Sequence, residues 1–211
     1  MAIEEALPTG RSDSGIDAAF EYAGYGRPYL GERLSGDVAL AVDLDDRLAI
    51  ALIDVLGHGP DANELAVQMA QFVRDNADVD PVGMLLSLHR TFKGSRGAAA
   101  GYAVVDPVSG RISFAGIGNP SFRIMGASRT LRFPVTDGII GARIRTTRAH
   151  EARMDAGDLL LACSDGVSSF EVDEYPQVFI HNVMVVARTI VRRFGKDHDD
   201  STCMVARRKA T

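Results

Sequence analysis

Four short islands place an aspartate beside a glycine or a second aspartate: Ser35-Gly36-Asp37, Asp54-Val55-Leu56-Gly57-His58-Gly59, Ser164-Asp165-Gly166 and His198-Asp199-Asp200-Ser201-Thr202. At least three of them follow or precede an apolar run that reads as a β-strand. Strands can carry residues far apart in sequence to one edge of a sheet. Carboxylates gathered there repel one another unless a cation lies between them. Hard oxygen ligands of this kind suit Mg²⁺ or Mn²⁺ rather than zinc. The islands therefore call for a fold whose strand ends meet around one divalent-metal site.

The order of elements between the islands narrows the fold. Strand-like runs cover 20–24, 38–42 and 48–55, with Asp45-Asp46-Arg47 as a hairpin turn between the last two. A helix is predicted from Pro60, on the recurrence of Leu65, Met69, Phe72 and Val73. A second follows Pro81, with Met84, Leu85, Leu88 and Phe92 on one face, and 94–97 breaks it. Strands are then predicted over 98–105, 111–115, 121–125 and 130–133, with turns at 106–110 and 116–119. Residues 148–154 and 159–163 read as a further hairpin joined by Asp155-Ala156-Gly157-Asp158. A long amphipathic helix spans roughly 177–194, and 202–206 closes the chain as a strand. Short hairpins and clustered helices predict an α+β fold, an antiparallel β-sandwich flanked by helices on its outer faces. A doubly wound parallel sheet would alternate strand and helix regularly.

The chain of 211 residues fits one domain over 16–211, preceded by a loose polar tail over 1–15. A formal charge of −5 gives no basic footprint for nucleic acid. Arg143, Arg145, Arg148 and Arg153 cluster, but Glu151, Asp155 and Asp158 lie among them, which reads as a solvated face. No stretch reaches the ~18 apolar residues of a membrane span, and the first residues lack a leader pattern, so neither signal peptide nor anchor is expected. Cys163 and Cys203 sit in apolar strand-like runs beside two of the islands. Two buried thiols that could be core neighbours fit a reducing, cytoplasmic setting.

Asp54 closes the strongly apolar run 49–55, and a carboxylate there is costly unless it is paired or metal-bound. Gly57 and Gly59 permit a sharp turn, and the helix from Pro60 points its N-terminus at the same place. Asp165 repeats the arrangement after 159–163, and Asp199 stands just before the closing strand. His58 is placed either to protonate a leaving alkoxide or simply to fill the loop.

In order and content the islands resemble the metal-dependent serine/threonine protein phosphatases of the PPM, or type-2C, fold, in the SpoIIE-like branch. That branch carries Ser-Gly-Asp, Asp-Gly-x-Gly-His-Gly, Ser-Asp-Gly and Asp-Asp-x-Thr in this order. Glu32 ahead of the first island and Gly116-Ile117-Gly118-Asn119-Pro120 fit the same pattern, and the resemblance covers about residues 17–208. It implies two divalent ions, Mn²⁺ or Mg²⁺. Asp54 would bridge them, the Val55 carbonyl would complete one shell, and Asp165 and Asp199 would hold the second ion. Asp37 would bind through water or support the others. The ions would lower the pKa of a shared water for attack on phosphorus. Val55 stands where the family has glycine; a carbonyl ligand survives that change if the backbone does not need positive φ.

A bare domain of this kind further resembles phosphatases that act on phosphorylated STAS-domain proteins in stress-response (stressosome or partner-switching) pathways, with no membrane or nucleic-acid partner and a monomer expected. Two other classes remain open at this point. One is a phosphoprotein-binding module of the same fold with little catalysis; intact Asp54, Asp165 and Asp199 weigh against it. The other is a metal-dependent nuclease, disfavoured by the acidic composition.

Overall fold

A computed structural model describes residues 14–16, 19–126, 129–170 and 180–209. Two antiparallel sheets stack face to face, with helices outside. One sheet holds β1 (Ser14–Ile16), β2 (Phe20–Arg27), β13 (Ser201–Arg208), β12 (Leu159–Cys163), β7 (Ser121–Met125) and β8 (Thr130–Arg132), in that spatial order. The other runs β11 (His150–Arg153), β6 (Arg111–Ile117), β5 (Ala98–Val105), β4 (Arg47–Val55) and β3 (Asp37–Leu44). A two-stranded ribbon, β9 (Gly138–Ile139) with β10 (Arg143–Ile144), lies within the stretch 132–147. The helices are α1 (Pro60–Asn76), α2 (Pro81–Thr91) and α3 (Val183–Phe194).

Strand period explains the layering. On β4, Leu48, Ile50 and Leu52 meet Phe122, Ile124, Leu160, Ala162 and Met204 between the sheets. The alternate residues Ala49, Ala51, Ile53 and Val55 meet Met69, Val73, Met84, Leu85 and Leu88 of α1 and α2. On the other sheet, Leu159, Leu161, Cys163, Cys203 and Val205 pack under Val183, Val186, Ala187, Ile190 and Val191 of α3. Central strands covered on both faces read as unbroken apolar runs rather than alternating ones. The expected helix-flanked sandwich is therefore the observed one.

Local signals place the element ends. Asp45 takes φ 58 in the β3–β4 turn. The Asp80 carboxylate accepts from the Val82 N–H at 3.0 Å and Asn182 accepts from the Met184 N–H at 2.9 Å, each capping a helix. Cys163 and Cys203 are opposite residues of β12 and β13, free thiols with sulfurs 3.4 Å apart.

Three expectations change. Residues 148–154 and 159–163 do not form a hairpin: β11 pairs with β6 and β12 with β13 and β7, so the chain crosses from one sheet to the other there. A five-residue connection is compatible with either path, and only the partners on each side decide. The turn at 116–119 likewise carries the chain from β6 in one sheet to β7 in the other. The last helix begins at Val183 behind its Asn182 cap, not near 177; residues 177–179 lie outside the described residues. Of the expected tail, 1–13 also lie outside them, and Ser14 and Gly15 belong to β1.

Candidate active site

Both sheets deliver an acidic end to the same place. Asp37 opens β3 and lies directly across from Asp54 on β4. Asp165 follows β12 by two residues, and Asp199 precedes β13 by two. β12 and β13 are neighbours, so their ends arrive together. Asp165 and Asp199 both raise the pKa of Asp54 by their charge, and Asp54, Asp199 and Asp200 do the same to Asp37. The four sequence islands thus form one cluster.

Its electrostatics are unfavourable as they stand. Burial and the nearby Asp165 push Asp54 up to about 7. Burial, followed by Asp54, lifts Asp37 well above the usual carboxylate range, although Ser164 hydrogen-bonds it. Burial and Asp165 raise Asp199, opposed by Lys196. Asp37 Oδ2 is buried and has no hydrogen-bond partner. An orphaned buried carboxylate oxygen and mutually repelling neighbours are the donor set a hard divalent cation satisfies. Among the described residues no three such side chains close a cage around one point.

Val55 fits its position. Among the described residues the only non-glycine with positive φ is Asp45, so the condition for a valine here is met. Its N–H donates to the Gly36 carbonyl at 3.1 Å and its side chain is buried under α1.

Neighbouring groups hold the carboxylates. Asn119 Nδ2 donates to Asp165 Oδ2 at 2.6 Å, and the Lys196 ammonium donates to the Asp165 carbonyl at 2.6 Å. The Asp200 carboxylate accepts from the Tyr29 and Gly36 N–H groups, each at 2.7 Å, and is 3% exposed. Asp200 therefore ties the start of β13 to the β2–β3 connection. Sequence reasoning reads Asp200 as a turn or supporting residue beside Asp199, without naming the groups it binds, and passes over Lys196; a lysine just ahead of an acidic island is the available signal. Asn63 Nδ2 donates to the Ser35 carbonyl at 2.8 Å, joining α1 to the first island.

Gly166 has no room for a side chain: a Cβ there would run into the Asp200 carbonyl oxygen, which is backbone. Gly166→Ala is expected to cost about 3 kcal/mol and to loosen both islands, seen as a lowered Tm in thermal denaturation.

His58 sits on the loop ahead of α1, between Gly57 (φ 87) and the capping Gly59 (φ 80). Its ring stacks on Tyr29 at 4.3 Å between centroids, and Nδ1 lies 3.3 Å from Glu32 Oε1. The side chain is half exposed. The other histidines stand apart: His89 Nδ1 accepts from the Gly141 N–H at 3.1 Å, and His198 is exposed. Arg145 and Arg153 have acidic neighbours, Asp137 at 3.8 Å and Asp155 at 4.0 Å, as a solvated face would.

Known proteins share this fold. The model of the Stage II sporulation protein E (SpoIIE) family matches residues 44–209. The chain belongs to that family, and is a protein phosphatase of the PP2C class. Among individual relatives it is similar to the phosphoserine phosphatase RsbX of Bacillus subtilis (strain 168), 23% identical over 139 residues, covering 65% of this chain and 70% of RsbX. A solved protein of the bacterial stressosome, described as a modular system adapted to control secondary messenger signalling, shares 27% identity at a TM-score of 0.82. The match covers 89% of this chain and 99% of that one. RsbX in complex with magnesium has the same fold at a TM-score of 0.79 and 18% identity, over 93% of this chain and 99% of its own. The catalytic domain of the serine/threonine phosphatase PstP, solved with two manganese ions, matches at a TM-score of 0.62 and 16% identity, over 91% of this chain and 99% of its own.

Proposed function

We propose that this domain hydrolyses phosphoserine or phosphothreonine on a STAS-domain regulatory protein of a stress-response pathway in the cytoplasm, with two divalent cations, Mn²⁺ or Mg²⁺. The observation that carries the reading is the joining of Asp37, Asp54, Asp165 and Asp199 into one mutually repelling group with an orphaned oxygen. Asp54, the Val55 carbonyl, Asp165 and Asp199 would hold the ions, Asp54 between them, and Asp37 would support the others. Bound cations neutralise the phosphoryl oxygens and lower the pKa of water toward neutrality. The chain's own groups do the rest. Asn119 and Lys196 hold Asp165 in place, and Asp200 keeps Gly36 and Tyr29 against the cluster. His58, with Glu32 at Nδ1, is the group available to protonate the departing serine oxygen.

Support for the substrate class is the likeness to RsbX and to a stressosome protein. Two free buried thiols 3.4 Å apart fit a reducing compartment. Purified protein with Mn²⁺ is expected to release phosphate from p-nitrophenyl phosphate and from a phosphorylated STAS protein, and to stop when the metal is chelated. No turnover of either substrate under any divalent cation would sink the enzyme reading and favour a binding module.

A further inference from the structure

Arg96 occupies the bend between α2 and β5, and the bend is clamped. The Ser95 N–H donates to the Phe92 carbonyl at 3.1 Å, and the Leu56 N–H donates to the Gly97 carbonyl at 3.0 Å. Ala98 and Ile140 exchange N–H···O bonds of 3.2 and 2.8 Å. Ile139 packs so closely on Gly97 (φ 92) that a side chain there would collide with it. These contacts tie the Arg96 backbone to the strand-end loop that follows Asp54.

The guanidinium lies over Gly57. A Cβ at Gly57 would stand 3.5 Å from one terminal nitrogen of Arg96 and 3.7 Å from Cζ. Gly57 is three residues from Asp54, and its carbonyl oxygen would be 2.9 Å from a Cβ at Gly36, whose N–H binds Asp200. Arg96 thus stands over the loop that leads from Asp54 to α1. It is exposed, and among the described residues no hydrogen bond or ion pair engages its guanidinium. The contrast is Lys196, whose ammonium is committed to the Asp165 carbonyl. An exposed arginine beside this loop, with no partner among the described residues, leaves its planar fork of donors for an incoming anion. A phosphoryl dianion nearing the aspartates past this loop meets their repulsion, which a guanidinium over Gly57 offsets.

We propose that Arg96 contacts the substrate, its guanidinium donating to the phosphoryl oxygens of the phosphorylated side chain as they enter past Gly57. The inference rests on the phosphatase reading above and adds a residue that none of the four islands contains.

The experiment compares wild type, Arg96→Ala and Arg96→Lys at saturating Mn²⁺, using p-nitrophenyl phosphate and a phosphoserine peptide, with inorganic phosphate as competitive inhibitor. Arg96→Ala is expected to raise both KM and the phosphate inhibition constant about 10-fold or more, the loss of a charged hydrogen bond. Arg96→Lys keeps the charge without the fork and falls between. The Mn²⁺ concentration for half-activation and Tm stay as in wild type. Unchanged KM and inhibition constant in Arg96→Ala, or a fall confined to kcat, overturns the proposal while leaving the phosphatase reading intact. If wild type itself shows no turnover, that reading fails separately. Calorimetric binding of inorganic phosphate in Mn²⁺ then decides the Arg96 contact: weaker binding by Arg96→Ala supports it and equal binding overturns it.

Discussion

Asp54→Asn is expected to abolish metal-dependent phosphate release, by about 1,000-fold or more in kcat, while making the metal-free protein more stable at pH 8. The first effect follows from the proposed bridging role; 1,000-fold corresponds to about 4 kcal/mol of transition-state stabilisation. The second follows from the site's electrostatics. Asp54 is held at about 7 in the fold, by burial first and by Asp165 second, against an ordinary value of 3.8. The native state therefore holds a proton that the unfolded chain releases between about pH 4 and 7. Stability from this group is fully present below the unfolded value and is lost as pH rises through the folded one. Metal-free wild type is expected to lose Tm over that window, and the Asp54→Asn side chain, uncharged throughout, flattens the loss. Divalent cation, binding the charged form, restores Tm in wild type and does so far less in the variant. Thermal denaturation across pH, with and without Mn²⁺, checks all of this. A variant that is no more stable than wild type at pH 8 without metal would show that the cluster is relieved by other means.

Asp200→Ala is expected to lower stability by about 3 kcal/mol and to weaken metal activation together. Both carboxylate oxygens are used, one by the Tyr29 N–H and one by the Gly36 N–H, at 2.7 Å each in a site 3% exposed. Removing them orphans two backbone donors, each costing about 1–3 kcal/mol when buried. For a domain of this length that is a fall of about 6–12 °C in Tm. Asp200→Asn retains one acceptor and is expected to lie between. Activity should fall through a higher Mn²⁺ requirement, because Gly36 carries the first island and its carbonyl receives the Val55 N–H. A direct metal role would instead remove activity at any Mn²⁺ concentration with little change in Tm. A Mn²⁺ titration beside a melting curve separates the two.

The clustering of the four acidic islands was legible because carboxylates at the ends of apolar strands are an unusual placement. Asp54 at the end of an apolar run and Asp165 after another are costly without a partner, so the islands stood out against their strands. Strands β5, β7 and β12 were legible to the residue, since each is bounded by turn-forming residues on both sides. The groups that hold the carboxylates were less so. Asn119, Lys196 and Asp200 are ordinary polar residues, and what each does depends on a neighbour 46, 31 or 164–171 positions away. His58 was flagged by its motif, but its stacking on Tyr29 and its pairing with Glu32 needed the β2–β3 connection to fold over it.

By itself the sequence determined the fold class, the order of the helices and the longer strands, and the four acidic strand ends, because strand period, helix period and the cost of a buried carboxylate are local properties. Only the tertiary structure decided that β11 and β12 part into different sheets, that Asp37 faces Asp54 across a ladder, and that Arg96 comes to rest over Gly57. Those outcomes depend on which strands share hydrogen bonds and which backbones approach where glycine leaves room. Pairing of that kind is settled by packing across the whole sandwich, not by any one stretch of chain.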